Sequence, residues 1–484
     1  MKKNDNRIVL YNLIWRFMER VGAQMVSLIV SVVLARIIAP SAYGIVALLT
    51  VFTTILQVFV DSGLGNALIQ KKDADNIDFS TVFYTNIVFC TVLYILLFVC
   101  SPVIANFYGD LSITAYMRVL GLTILISGIK NVQQAYVSRN MLFKKFFFST
   151  IGGTIVAGFI GVLMAMKEAG VWALVAQQVI NLSIDTIILW FTVKWRPSRV
   201  FSIKRLQLLF AYGWKLLVSS LIDTTYNNLR QLLVGKIYSS SDLAQYNRGQ
   251  QFPQLIVINV NTSIDSVLLP AMANVQDSKE KIKEMTRKSI KISTYVMAPL
   301  MMGMAFCGKS IVGLILSEKW LPSVPYMQIF CITYMFWPIH TANLNAIKAV
   351  GRSDLFLKLE IQKKVIGMIA LALTVFVSVK AMALSLLVTT FISQIINAAP
   401  NKVLLNYSYI EQLKDIIPAI GLAFFMGVVV YTIPNIGLSY FVTLVIQIFV
   451  GVLFYIGGSK LFHLDSLEYL LEAIKPYFQR RQNN

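Results

Sequence analysis

Gly213–Tyr238 reads GWKLLVSSLIDTTYNNLRQLLVGKIY, long enough to cross a bilayer as one helix, yet it carries Lys215, Asp223, Tyr226, Asn227, Asn228, Arg230 and Lys236. Such residues are scarce elsewhere: 14% of the 484 residues are charged and 57% hydrophobic, and the mean hydropathy is +0.67. A soluble chain of this length carries far more charge, so the solvent for most of this one is lipid. The apolar runs are continuous and about twenty residues long, which disfavours a β-barrel of alternating ten-residue strands. The fold class is therefore all-α, a polytopic membrane protein.

About fourteen spans are expected, near 14–38, 43–69, 79–105, 116–137, 146–166, 171–193, 208–237, 245–272, 290–316, 324–349, 355–379, 380–401, 416–433 and 438–459. With the N-terminus placed in the cytoplasm, Lys71, Lys72, Arg139, Lys144, Lys145 and the runs KWRPSRVFSIKR and KEKIKEMTRKSIK all fall inside. The external connections hold little basic charge beyond Lys167, Lys319 and Lys380. This asymmetry fixes an even number of spans with both termini cytoplasmic. It also accounts for the net charge of +20 without nucleic acid as a partner. The start, MKKNDNR, reads as a basic cytoplasmic tail with no cleavage site after it, so the first helix is expected to be retained. Cys90, Cys100, Cys307 and Cys331 have no metal-ligand spacing and read as small buried hydrophobes.

The chain repeats itself. IWRFMERVGAQMVSLIVSVVLARII aligns with GWKLLVSSLIDTTYNNLRQLLVGKI, pairing Trp15 with Trp214 and Arg16 with Lys215. VDSGLGNALIQKKD aligns with IDSVLLPAMANVQD, pairing Asp61 with Asp265. The offset is six spans, an even number, so the copies run parallel about an axis along the membrane normal. The expected domains are a lobe of spans one to six (1–200), a lobe of spans seven to twelve (201–401), and an addition of two spans with an amphipathic tail (402–484). The connections WRPSRVFSIKRL and QDSKEKIKEMTRKS and the tail DSLEYLLEAIKPYF are candidate surface helices.

At 3.6 residues per turn, Lys215, Ser219, Asp223, Tyr226, Asn227 and Arg230 share one stripe, opposite Leu217, Leu221, Ile222 and Leu232. Arg16, Arg20, Gln24, Ser27 and Ser31 form a similar stripe in the first span, and Lys130, Gln133, Gln134, Arg248, Gln250 and Gln251 add polar groups in spans four and eight. A charged side chain at mid-bilayer costs roughly 2.5–3.5 kcal/mol on insertion scales, so this set is expected to line water or to pair. Glu19 and Asp223 are candidate partners, but the bases outnumber them. An anionic guest such as a phosphate fits the excess, held by Arg and Lys donors. Arg16, Arg20, Arg36 and Lys236 also lie where they can snorkel to headgroups. Asp61 and Asp265 read as caps or inter-lobe contacts before ion coupling, and His340 as a hydrogen-bonded packing residue before a proton relay. Neither a phosphate-binding glycine loop nor a G-x-S-x-G or H-E-x-x-H motif occurs, and the external loops are short, so no enzyme is expected.

In order, LARIIAPSAYGIVAL, VDSGLGNALIQKK, FAYGWKLLVSSLIDTTYNNLRQLLVGKIYS and LAQYNRGQQFPQLI resemble Wzx-type polysaccharide flippases. These belong to the multidrug/oligosaccharidyl-lipid/polysaccharide (MOP) exporter superfamily, and the likeness is to the teichuronic and colanic acid branch. The resemblance implies a V-shaped pair of six-helix lobes plus two C-terminal helices. It implies translocation of an undecaprenyl-diphosphate-linked oligosaccharide across a bacterial cytoplasmic membrane for cell-surface polysaccharide biosynthesis, by a monomer working among membrane lipids beside the polymerase machinery. No cofactor is implied, and the coupling ion, H+ or Na+, stays open. In related lipid II flippases arginines of spans one, two and eight hold the diphosphate; Arg16, Arg20 and Arg248 match by span and charge, whereas span two here has no arginine. The rival readings are a cation-coupled multidrug exporter of the same superfamily and, from another class, a membrane glycan polymerase or ligase.

Overall fold

The computed structural model describes residues 3–469. Apolar runs become helices wherever a capping residue or a turn lets the backbone change direction. In chain order these are α1 (Lys3–Ile37), α2 (Pro40–Val60), α3 (Asn66–Gln70), α4 (Asn76–Tyr108), α5 (Ile113–Arg139), α6 (Phe143–Met166), α7 (Val171–Thr192), α8 (Ile203–Ile237) and α9 (Ser240–Ala273). There follow α10 (Lys279–Phe306), α11 (Gly308–Ile315), α12 (Val324–Met335), α13 (Trp337–Ala349), α14 (Ser353–Thr374), α15 (Val379–Leu405), α16 (Tyr409–Thr432) and α17 (Tyr440–Leu461). A π-helical turn, Asp61–Gly65, joins α2 to α3, and the described residues contain no strand.

The chain is a multi-pass membrane protein. Among the described residues ten helices are long and apolar enough to cross a bilayer, or eleven with the pair α10 and α11, which meet at 68°. The fourteen expected segments are all helical, but three fall short of that test. Helix α8 carries its charged stripe, α14 carries Lys358, Glu360, Lys363 and Lys364, and the tenth segment is broken at Phe336 into α12 and α13. Pro338, at the second position of α13, explains the break: a proline is well placed in a first helical turn and cannot continue a helix from the previous one.

By contacts the chain divides into two compact units, Met1–Ala244 and Gln245–Asn484. This boundary falls one helix later than the repeat boundary at 200/201, because α8 packs on α2, α3, α4 and the π-turn. In the first unit the main helix pairs are α6 with α7, α1 with α6, and α4 with α5. A core of Leu68, Phe79, Val82, Val132, Leu189 and Trp195 closes the end bearing the basic connections.

The connection 193–202 is extended rather than the surface helix expected of it. Pro197 disfavours a helical residue before it, and side-chain bonds take over the polar backbone. Trp195 donates from Nε1 to Asn76 Oδ1 at 2.8 Å and its ring packs 5.8 Å from Phe79. The Ser198 amide donates to Ser80 Oγ at 3.0 Å and the Ser202 amide to Thr81 Oγ1 at 3.2 Å. Asp75 caps α4, accepting from the Ile77 and Asp78 amides, while Arg205 at the start of α8 binds the Asp75 carboxylate and lies 3.2 Å from Asp78. The other candidate surface helices differ: 279–289 runs on into α10, capped by Ser278, and most of the tail candidate, with Leu470, Leu471, Ile474 and Phe478, lies outside the described residues.

At the opposite end of the first unit, α2 meets the start of α9. A Cβ at Gly44 would overlap the Ser240 carbonyl, so the two backbones pass in contact. Tyr108 Oη donates to the Leu232 carbonyl at 3.4 Å and Lys236 to the Phe107 carbonyl beside it.

In the second unit α10 packs along α16, and buried polar groups cross-link the helices. Asn343 on α13 exchanges hydrogen bonds with Gln412 on α16, both at 2.9 Å, and accepts from Asn401 on α15 at 2.7 Å. Arg287 grips Asp415 through two bonds of 2.8 and 2.7 Å, and Tyr407 donates to the same carboxylate at 2.8 Å. The four cysteines are free, with Cys90, Cys307 and Cys331 buried and Cys100 half-buried.

Two outcomes follow from these contacts. Gly44→Ala forces α2 away from Ser240 and lowers the apparent unfolding temperature of the purified chain by about 3 °C or more, measured by a thermal melt. The Arg205 hydrogen bond, with smaller help from the backbone amides, holds the Asp75 carboxyl at about 2, against an ordinary 3.8. A depressed value means that the contact contributes fully above pH 3.8 and is lost as pH falls through about 2. Hydrogen exchange over 194–203, corrected for its intrinsic pH dependence, should therefore quicken in wild type only in that acid range, and already at neutral pH in Arg205→Ala.

Candidate functional site

Interior polarity in the first unit begins with hydroxyls on α2. Thr50 and Thr53 donate to the Val46 and Thr50 carbonyls of their own helix, at 2.7 and 3.1 Å, which spends their protons and leaves oxygen acceptors facing inward. The helix then widens into the π-turn at Asp61, a local insertion common at functional sites. The Asp61 carboxylate accepts from Gln57 Nε2 at 3.2 Å and from Asn131 Nδ2 at 3.3 Å. Next to Asn131 in the chain, Lys130 on α5 reaches Asp185 on α7 at 2.5 Å, with side chains only 12% and 9% exposed.

These groups surround a cavity of about 460 Å³. Its walls come from Thr50–Asp61 on α2 and the π-turn, Thr123–Gln134 on α5, Thr150 on α6 and Gln178–Asp185 on α7. A second recess of about 360 Å³ shares Thr54, Gln57 and Asp61 and extends to Ser220, Asp223 and Thr224 on α8. Three carboxylates, Asp61, Asp185 and Asp223, thus meet one ammonium, Lys130, along these two cavities. Bringing such groups into a membrane-spanning bundle is tolerable only with partners or water, and the paired Lys130 and Asp185 meet that requirement with each other.

The remaining residues singled out from the sequence are distributed as follows. Lys215, Asp223 and Asn227 are exposed on α8, with Tyr226 and Arg230 half-buried further along the stripe, and Asn227 donates to Asp223 at 3.0 Å. On α1, Arg16 pairs with Glu19 at 2.7 Å and its guanidinium lies 5.4 Å from the Phe146 ring of α6; Arg20 and Gln24 are exposed. Arg248 belongs to the second unit and is buried, 2.5 Å from Gln251 Oε1 and 5.1 Å from the Trp320 ring centre. Asp265 is exposed on α9, unlike its repeat partner Asp61. His340 Nδ1 lies 3.1 Å from Asn397 Nδ2, bridging α13 and α15. Of the whole set, the structure brings Lys130, Gln134, Asp61 and Asp223 to the cavities of the first unit.

Sequence reasoning missed Asp185, Gln178 and Asn181. They stand at helical spacing in QQVINLSIDTIIL, a stripe of amides ending in a carboxylate within the sixth span. That signal was present but faint beside the denser stripe of the seventh span. Among the described residues no group of three His, Cys, Asp or Glu side chains is placed to hold a metal ion.

Comparison with known proteins adds the following. A family model described as "Polysaccharide biosynthesis protein" matches residues 33–325. The teichuronic acid biosynthesis protein TuaB of Bacillus subtilis (strain 168) is 28% identical over 306 residues, 63% of this chain and 63% of that one. The lipopolysaccharide biosynthesis protein WzxC of Escherichia coli (strain K12) is 23% identical over 341 residues, 68% of each chain. The chain thus spans just under two thirds of the length of TuaB. Among solved structures, the lipid II flippase MurJ in an inward closed conformation matches with a TM-score of 0.74 at 13% identity, covering 94% of this chain and 100% of that one. At that identity the likeness is one of fold.

The Lys130–Asp185 pair makes a sharp expectation. Breaking a buried pair from one side costs roughly 3–5 kcal/mol, whereas replacing both partners by apolar groups of similar volume is close to neutral. Lys130→Met alone should therefore lower the apparent unfolding temperature strongly, and Lys130→Met with Asp185→Leu should recover most of the loss, as read by thermal melts of the two purified variants.

Proposed function

The chain belongs to the polysaccharide biosynthesis protein family of the MOP exporter superfamily, and from that membership we propose that it is a flippase. It carries an undecaprenyl-diphosphate-linked oligosaccharide repeat unit from the cytoplasmic to the outer leaflet of a bacterial cytoplasmic membrane, with both its termini in the cytoplasm. The barrier in this reaction is desolvation. A diphosphate and a hydrated glycan cannot enter hydrocarbon unpaired, while the polyprenyl tail can stay in the bilayer throughout.

The observation that carries this reading is α8, a helix of 35 residues in a membrane fold that keeps Lys215, Ser219, Asp223 and Asn227 exposed along one stripe. Exposure of such groups in a span is tolerable only where water reaches them. A wet stripe with Lys215 and Arg230 supplies cationic donors for a diphosphate, and the related stripe of Arg16 and Arg20 on α1 supplies more. Alternating exposure of two lobes to the two sides moves the headgroup across. The driving force is exchange with H+ or Na+, or the membrane potential acting on the charged headgroup.

Lys215→Ala and Arg230→Ala each remove a charge-assisted contact of about 1.5–3 kcal/mol. Surface polymer should fall about tenfold or more, with lipid-linked repeat units accumulating on the cytoplasmic leaflet and the protein inserted at normal levels. Polymer output unchanged in both variants would remove the phosphate-binding role from this helix.

A further inference from the structure

The cavity of the first unit does not have the chemistry of a diphosphate site. Its ammonium, Lys130, is already held by Asp185, and Asp61 adds a second carboxylate to the same space. With Asp223 on the adjoining recess, acids outnumber bases, and a phosphate or carboxylate placed there would meet like charge. Yet the cavity is built for polar contact. Among the described residues, Leu182 is the one apolar aliphatic residue in its wall and no aromatic ring contributes.

Several of these polar groups have hydrogen-bonding capacity unspent. Asp185 is 7% exposed; its Oδ2 is taken by Lys130, while its Oδ1 is buried with no hydrogen-bond partner. The amides of Gln134, Gln178 and Asn181 line the same space, and none of the three side chains is hydrogen-bonded to another described residue. Each amide offers two donors and an acceptor in one plane. The chain thus sets three amides and a free carboxylate oxygen on two packed helices, α5 and α7. A buried acceptor left unpaired is costly, so the arrangement favours any guest that brings several hydroxyl groups at once. The volume, about 460 Å³, lies within the roughly 300–1,000 Å³ typical of small-molecule sites.

We infer that this cavity is the subsite that reads an uncharged, hydroxyl-rich sugar residue of the cargo. In it Gln134, Gln178, Asn181 and Asp185 Oδ1 act as the hydrogen-bonding selectors, and the acidic balance excludes uronates. The inference rests on the flippase reading for its ligand: the diphosphate is held on the cationic stripes, and a sugar further along the glycan enters the first unit. Specificity arises because a sugar lacking a matched hydroxyl leaves a buried partner unpaired.

The test uses the full chain in lipid nanodiscs, free of glycoside detergents, with glucose, N-acetylglucosamine and glucuronate as probes in saturation-transfer NMR at millimolar concentration. Glucose or N-acetylglucosamine should give a signal at least fivefold stronger than glucuronate, and Gln178→Leu with Asn181→Leu should abolish it. The isosteric Asp61→Asn should narrow the gap between neutral sugar and uronate. Equal signals for all three sugars, no signal for any, or a signal surviving the double leucine variant would each overturn the assignment. Should the double variant fail to fold, Thr54→Cys, on the cavity wall and outside the selectors, supplies the second measurement. Thiol labelling at 54 should be slowed by the neutral sugars and not by glucuronate; labelling indifferent to both overturns the assignment. Free sugars carry no lipid and nothing is translocated. A chain that flips its cargo but binds no sugar therefore refutes the subsite alone, and one that binds sugar but flips nothing refutes the flippase reading alone.

Discussion

Everything in this molecule answers to one constraint: a polar group inside the hydrocarbon layer must find a partner or water. The two units meet it differently. In the second, buried amides cross-link helices in a lattice, Asn343 with Gln412 and Asn401, and Asn397 with His340. Such a lattice locks α13, α15 and α16 together. In the first, Lys130 and Asp185 neutralise each other at the wall of an open space, and the neighbouring amides remain unspent. One arrangement specifies packing; the other leaves room for a guest.

The connections carry as much of the design as the spans. The extended segment 193–202 is stitched to α4 by Trp195, Ser198 and Ser202 and closed by the Arg205–Asp75 contact. That anchorage sets where α8 begins, and α8 then packs on α2, α4 and the π-turn. A helix whose stripe of charge looks anomalous in isolation is held by its ends, so its middle is free to present polar groups.

The repeat shows how far equal sequence departs from equal environment. Trp15 packs 5.1 Å from Phe147, while Trp214 remains 45% exposed. Asp61 sits on a π-turn with two amide donors, while Asp265 lies exposed on an uninterrupted helix. Residues at equivalent positions began with the same local instructions, and their neighbours gave them different work. Of these two positions, Asp61 is the one that lines the cavity of the first unit.

Hydropathy, helical periodicity and the order of short motifs were enough to establish an all-α membrane fold, the family, and Lys130 as a polar group of interest. These are local properties, since twenty apolar residues form a spanning helix whatever surrounds them. Which face of a helix meets a neighbour, a cavity or lipid is not local. The partnership of Lys130 with Asp185 joins residues on two helices, the turn at Asp61 needs the space beside α5 and α8, and the straightened 193–202 segment needs the α4 cap to bond with. Those outcomes depend on contacts between segments distant in the chain, and only the tertiary structure decided them.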